Sequence, residues 1–131
     1  MLLLAAALLS AFQISAGVEG LPSLPLWAYT IGFGTLLVSC LMFVILGFKG
    51  LESKTVVIVS TAIPLCISLG LVSHHLPTYS TLYLIFCAFG FTATGAARFF
   101  LSGKTASLIL AVVHRIAGIL ITAVPLVVVI K

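Results

Sequence analysis

The stretch that decides the fold is Thr105–Ile130, which reads TASLILAVVHRIAGILITAVPLVVVI. A bilayer core about 30 Å thick needs roughly 20 predominantly apolar residues in a helix that rises about 1.5 Å per residue. Apart from His114 and Arg115, the stretch meets this requirement in length and composition. The helical rise places His114 about 13 Å from Thr105, near the middle of the bilayer. The stretch therefore predicts a membrane-spanning helix with two ionisable groups near its centre.

The composition of the whole chain agrees with a membrane protein. Hydrophobic residues make up 63% of the 131 residues and charged residues only 6%, whereas soluble domains carry about 25% charged residues. The formal net charge of +4 comes from six scattered cations without a basic cluster. Nucleic-acid binding is therefore not expected, because it requires a clustered basic patch. We predict one transmembrane helical domain over residues 1–131, with the lipid bilayer as its surroundings.

Four further apolar stretches accompany the last one. They are separated by short segments rich in Gly, Pro, Ser or Lys, which are typical of turns. The fold class predicted is an all-α integral membrane protein, an up-and-down bundle of four or five transmembrane helices with short loops. The predicted spans are residues 2–17, 26–48, 55–73, 81–101 and 105–130.

The first span has an alternative interpretation as a secretory signal. Ser15, Ala16 and Gly17 are small enough for a cleavage site. Against this interpretation, a signal needs a positive amino-terminal region, and no Lys or Arg precedes Lys49. We therefore predict a short first span.

The short loops predict the orientation. Lys49–Lys54 and Ser102–Lys104 fall on the same side of the membrane, and the positive-inside rule places that side in the cytoplasm, or in the matrix of a mitochondrion. The opposite side carries Glu19, the His74–His75 pair and the terminal Lys131. Lys131 is therefore expected to be external.

Small residues predict where helices pack. Gly90, Thr94 and Ala97 lie along one face of the fourth span at three-to-four spacing, a pattern typical of close helix contact. In the last span, a mildly polar face of small residues surrounds His114 and predicts that His114 points into the bundle. Its other members are Ser107, Ala111, Gly118 and Thr122.

The three cysteines have no chemical pattern. Cys40, Cys66 and Cys87 lie in separate apolar runs without a CxxC motif. Neither a zinc site nor a redox motif is indicated, so we predict small buried hydrophobic side chains.

His114 has three interpretations: a hydrogen-bonded interior histidine, a haem or metal ligand, or a proton-relay group. A b-type haem usually needs two axial histidines. The other candidates, His74 and His75, fall at the external end of the third span, far from the depth of His114. A ligand from a second subunit would remove that objection. His74 and His75 themselves predict a solvated turn, with an external-side metal or quinone-headgroup site as the alternative.

Arg115 lacks an evident counterion. The chain has only two carboxylates, Glu19 and Glu52, and neither lies in a predicted span. Arg115 can extend toward the cytoplasmic interface along its own apolar stem. Its acceptors could be backbone carbonyls, a lipid phosphate, a cofactor carboxylate such as a haem propionate, or an acid of another subunit.

Residues 114–118, His-Arg-Ile-Ala-Gly, resemble the His-Arg-x-Ser/Thr-Gly signature of the cytochrome b anchor subunits of succinate dehydrogenase. The resemblance covers five of 131 residues, and Ala117 replaces the hydroxyl residue. That family carries the signature in its first span, whereas this chain carries it in its last. No function is carried over from the resemblance.

No paired carboxylates, phosphate-binding loop or nucleophile–base set is present, so an enzyme is not expected. We expect a small non-catalytic subunit of a respiratory or electron-transfer membrane complex. It would pack against other membrane subunits and help to position a cofactor or quinone site through His114 and Arg115. One alternative is a membrane cytochrome that binds haem b through His114. The other is a homo-oligomeric channel or carrier for a small anion, in which Arg98 and Arg115 line the path.

Overall fold

The computed structural model of the chain describes residues 1–17, 19–47, 49, 54–101 and 103–130, with the backbone alone at residues 54 and 55. Its α-helices are α1 (Leu2–Ala16), α2 (Ser23–Leu46), α3 (Lys54–His75), α4 (Ser80–Phe100) and α5 (Lys104–Ile130). Helices α2 to α5 are long and apolar enough to cross a membrane, while α1 is apolar but shorter, with 15 residues. The predicted fold class, an all-α membrane bundle, is confirmed.

The helix ends follow from local chemistry. Helix α2 begins at Ser23, three residues before the predicted start, because Pro25 falls in the first turn, where backbone N–H groups have no helical partner. Helices α1 and α2 are each followed by a capping glycine, Gly17 and Gly47, which have φ of 61° and 64°. Most of the predicted Lys49–Lys54 loop, Ser102 of the predicted Ser102–Lys104 loop and Lys131 lie outside the described residues.

Helix α3 is the centre of the bundle. It contacts α2, α4 and α5, and a 3₁₀ turn at Pro77–Tyr79 connects it to α4. Helices α4 and α5 also contact each other, whereas α1 contacts only α2 among the described parts of the chain. The helices therefore form a row from α1 through α2 to α3, and α4 and α5 complete a three-helix cluster with α3.

Two glycines allow α2 and α3 to approach closely. The aromatic ring of Tyr29 lies directly over Gly70, where an added Cβ would come within 2.5 Å of Tyr29 Cε1. On α2, a Cβ at Gly32 would lie 3.0 Å from Ile67 Cγ1. Glycines on both helices thus form this contact, as is common where membrane helices pack closely.

Helices α3 and α4 are joined by side-chain hydrogen bonds as well as packing. The Tyr83 hydroxyl donates to Ser68 Oγ over 2.9 Å, and Cys87 Sγ donates to the carbonyl of Leu65 over 3.6 Å. The cysteines are free; Cys40 and Cys87 are buried, as predicted, and Cys66 is half-buried. The buried core between the helices comprises Ala28, Leu65, Leu69, Cys87, Val113 and Ala117.

The Tyr29–Gly70 contact predicts a large difference between two glycine substitutions. Gly70→Ala should lower the free energy of unfolding by about 1–3 kcal/mol, because the new methyl group overlaps the Tyr29 ring. Gly34→Ala on α2 should leave it unchanged or raise it by about 0.5–1 kcal/mol, because the space beside Gly34 is open and alanine favours a helix. Reversible unfolding in mixed micelles measures both. Equal effects of the two substitutions would contradict the close contact.

Candidate functional site

His114 and Arg115 lie in the middle of α5, about 15 Å along the helix from Lys104. Both side chains are exposed, whereas the buried stripe of α5 consists of Ala106, Val113, Ala117 and Val124. The prediction that His114 points into this chain's bundle is therefore wrong. Val113 lies against Gly90 of α4, with 3.3 Å from its Cγ1 to a Cβ built on the glycine. Since successive residues are about 100° apart around a helix, burying Val113 and Ala117 turns His114 outward.

The outward residues around His114 form a continuous surface on α5, which we call the outer strip: Ser107, Ala111, His114, Arg115, Gly118 and Thr122. Gly118 is partly exposed, and no other helix in the described part of the chain comes within 4 Å of its Cβ position. The Ser107 and Thr122 hydroxyls donate to carbonyls of their own helix, at Gly103 and Gly118 respectively. The polar groups of the outer strip that remain available for a ligand or a partner are therefore the His114 imidazole and the Arg115 guanidinium.

The predicted packing residues divide between two surfaces. Gly90, Thr94 and Ala97 of α4 are buried inside the chain, where Thr94 and Ala97 are 0% and 2% exposed. Ala111 and Gly118 of α5 lie instead on the outer strip. The small residues of α4 thus serve this chain's own packing, while those of α5 leave room for a helix from elsewhere.

The outer strip carries the positive charge of Arg115, and the helices offer no carboxylate to balance it. None of the five helices contains Asp or Glu, since Glu19 lies in the turn between α1 and α2 and Glu52 lies outside the described residues. Arg98, in the last turn of α4, has a buried Nε without a hydrogen-bond partner among the described residues. An arginine at the centre of a span costs about 2.5–3.5 kcal/mol on insertion scales. Arg115 therefore gains from any anion that reaches its depth.

The chain does not bring a second histidine to His114. His75 lines a cavity of about 300 Å³ together with Ala123, Val127 and other residues near the end of α5. Those residues begin nine positions after His114, which corresponds to about 13 Å along the helix. Two axial histidines for one haem would thus require a ligand from another subunit.

His74 and His75, which the sequence offered together as an external-side site, line two different cavities. His74 lines a cavity of about 420 Å³ with Gln13 of α1 and with Tyr29 and Thr30 of α2, and we call this the interfacial cavity. Its other walls are mainly apolar. One signal in the sequence was available: Gln13 is the only residue with a side-chain amide in the chain, and it lies within an apolar helix. That signal did not show that Gln13 lies in the same cavity as Tyr29 and His74.

The orientation of α5 can be tested with two neighbouring valines. Val113→Ala should lower the free energy of unfolding by about 1 kcal/mol, because the side chain packs against α4 and leaves a void when shortened. Val112→Ala should have little effect, since Val112 is 50% exposed. Unfolding of both variants in the same micelles measures the difference. If Val112→Ala were the more damaging, α5 would not pack against α4 through Val113.

Comparison with known proteins does not identify the chain. No protein-family model, curated protein or solved structure matches it. The five-residue resemblance at residues 114–118 is therefore not extended by any family match. The basis for a function is the geometry of the chain itself, in particular the outer strip and the interfacial cavity.

Proposed function

We propose that this chain is a small non-catalytic subunit of a larger membrane-embedded complex of the respiratory or electron-transfer kind. It packs against other membrane subunits and helps to position a cofactor or quinone site. The observation that carries the proposal is the outward position of His114 and Arg115 at mid-span on α5.

The residues beside His114 suit a partner helix. Ala111 and Gly118 stand one turn before and one turn after it, and both are small. Small residues let two helix backbones approach closely in a membrane. A partner seated there would shield His114 from lipid and could offer Arg115 a carboxylate, from a side chain or from a cofactor. This arrangement supplies the anion that the helices of this chain lack.

The two alternative functions also require a second subunit. A cytochrome that uses His114 needs its second axial ligand from outside the chain, as described above. An anion path lined by Arg115 needs several copies around it, because the side chain faces outward from one copy. A Soret band that disappears in His114→Ala, or anion flux in liposomes that disappears in Arg115→Leu, would favour these alternatives over the accessory subunit.

Arg115→Leu should release the chain from its complex. We expect native mass spectrometry of gently solubilised membranes to detect the wild-type chain in a larger assembly and Arg115→Leu mostly outside it. Arg115→Lys should retain much of the assembly, because it keeps the positive charge. A wild-type chain that is a stable monomer, together with unchanged behaviour of Arg115→Leu, would contradict the proposal.

A steric substitution provides the matched control for the same measurement. Gly118→Leu extends into space where no other helix among the described residues comes within 4 Å of the Cβ position, so it should leave folding intact and block the partner. Gly95→Leu makes the same change at an equally open glycine of α4 and should leave the assembly intact. If both variants remained in the larger assembly to the same extent, the partner would not bind at the outer strip.

We also propose that the Lys49–Lys54 and Ser102–Lys104 loops face the cytoplasm and that Lys131 is external, as the distribution of Lys and Arg favours. In a variant without native cysteines, an impermeant maleimide applied to intact cells should label Thr78→Cys in the exposed turn between α3 and α4. It should not label Lys104→Cys until the cells are opened. The reverse pattern would invert the orientation.

A further inference from the structure

We propose that the interfacial cavity binds the headgroup of a quinone, a flat apolar ring with carbonyl acceptors on its edges. The cavity of about 420 Å³ lies between the end of α1, the beginning of α2 and the end of α3. This volume falls within the usual range of small-molecule sites, about 300–1,000 Å³. Its position near the helix ends gives a membrane-soluble ligand access at the level of the interface.

One wall of the interfacial cavity is aromatic and fixed. Tyr29 and Phe33 stand one turn apart on α2, with ring centroids 6.4 Å apart and planes inclined by 33°. The Tyr29 ring is held against the backbone at Gly70, so its position is set by helix packing. Aromatic rings bind other flat rings by offset stacking or edge contact. This wall therefore favours a planar ligand.

The polar groups of the cavity are neutral hydrogen-bonding groups from three helices. Gln13, Tyr29 and His74 form no side-chain hydrogen bond with another described residue, so their donors remain available. The Thr30 hydroxyl already donates to the carbonyl of Leu26 over 2.9 Å and can only accept. An amide, a phenol and an imidazole can each donate to a carbonyl oxygen.

The lack of charged side chains in the described walls of the cavity favours an uncharged headgroup. Among the residues that the structure describes, its walls include no Lys, Arg, Asp or Glu. A phospholipid headgroup would bring a phosphate without a fixed cation to receive it, whereas quinone carbonyls need only neutral donors. The apolar side chains of Ile14, Leu21 and Leu26 suit the ring and the start of an isoprenoid tail.

This inference goes beyond the site that the proposed function places at His114 and Arg115 of α5, since the interfacial cavity is lined by α1, α2 and α3. It rests on the proposed function in one respect, the choice of a quinone as the class of ligand. It does not require a partner on the outer strip, since α1 and α5 make no contact among the described residues. Loss of quinone binding and loss of assembly can therefore be observed separately.

The test uses the full chain alone in phosphatidylcholine nanodiscs, with decylubiquinone as the probe. Trp27, the only tryptophan, adjoins Leu26 of the cavity wall and reports binding by quenching of its fluorescence. We expect saturable quenching. Tyr29→Phe, which keeps the ring over Gly70, should raise the half-saturating concentration about fivefold through loss of one hydrogen bond. Gln13→Leu and His74→Leu should have similar effects.

Matched controls separate the site from simple partitioning into lipid. Tyr79→Phe and His75→Leu make the same changes at residues outside the interfacial cavity and should bind decylubiquinone as the wild type does. Quenching that rises linearly without saturation, or equal affinity in Tyr29→Phe, Gln13→Leu and the wild type, would overturn the proposal. Saturable quenching by a spin-labelled phosphatidylglycerol instead of decylubiquinone would also overturn it, since the occupant would then be a phospholipid.

Discussion

In the dry interior of a bilayer, a hydroxyl group must find its hydrogen-bond acceptor within protein, and in this chain it mostly finds one in its own helix. Ser10 donates to the carbonyl of Ala6 over 2.8 Å, Thr61 to that of Val57 over 2.9 Å, and Thr94 to that of Gly90 over 2.8 Å. Such local bonds satisfy the hydroxyls but join no helices. Because there is also no hydrophobic gain on packing one apolar helix against another in lipid, shape matching has to hold most of the bundle together. Helices α3 and α4 have side-chain hydrogen bonds in addition. The glycine contacts at Gly70 and Gly32 are where this shape matching is closest.

Shape matching also explains which face of α5 packs inside. The contact between α4 and α5 places a branched side chain, Val113, against a glycine, Gly90. His114, the next residue along the helix, contributes none of the atoms that meet Gly90. The helix consequently presents its most polar residues outward, which would be the wrong arrangement for a solitary membrane protein. The same arrangement is consistent with a chain that completes its packing against another subunit.

The sequence predicted the helices well and their faces only in part. The spans follow from long apolar runs bounded by Gly, Pro and Lys, so their predicted limits lie within three residues of the observed ones. The small face of α4 was recognisable because Gly90, Thr94 and Ala97 recur at helical spacing. The face of α5 was not, because small residues occur on both sides of this helix: Ala106 and Ala117 inside, Ala111 and Gly118 outside. The prediction turned the small residues around His114 into the bundle, whereas the structure packs the larger Val113 against Gly90.

The interfacial cavity shows a different limit of sequence reasoning, and it also constrains how the molecule can work. Gln13, Tyr29 and His74 come from three helices, and only the packing of α1 on α2 and of α2 on α3 brings them together. The packing of α2 on α3 depends on Gly70, which has no side chain and so contributes no polar group to the cavity. Helix α3 separates this end of the row from α5, so a partner that covers the outer strip leaves the cavity open to lipid. If the chain is a subunit as proposed, one end of its helix row is free to hold a partner while the other end stays open to a small apolar ligand from the membrane.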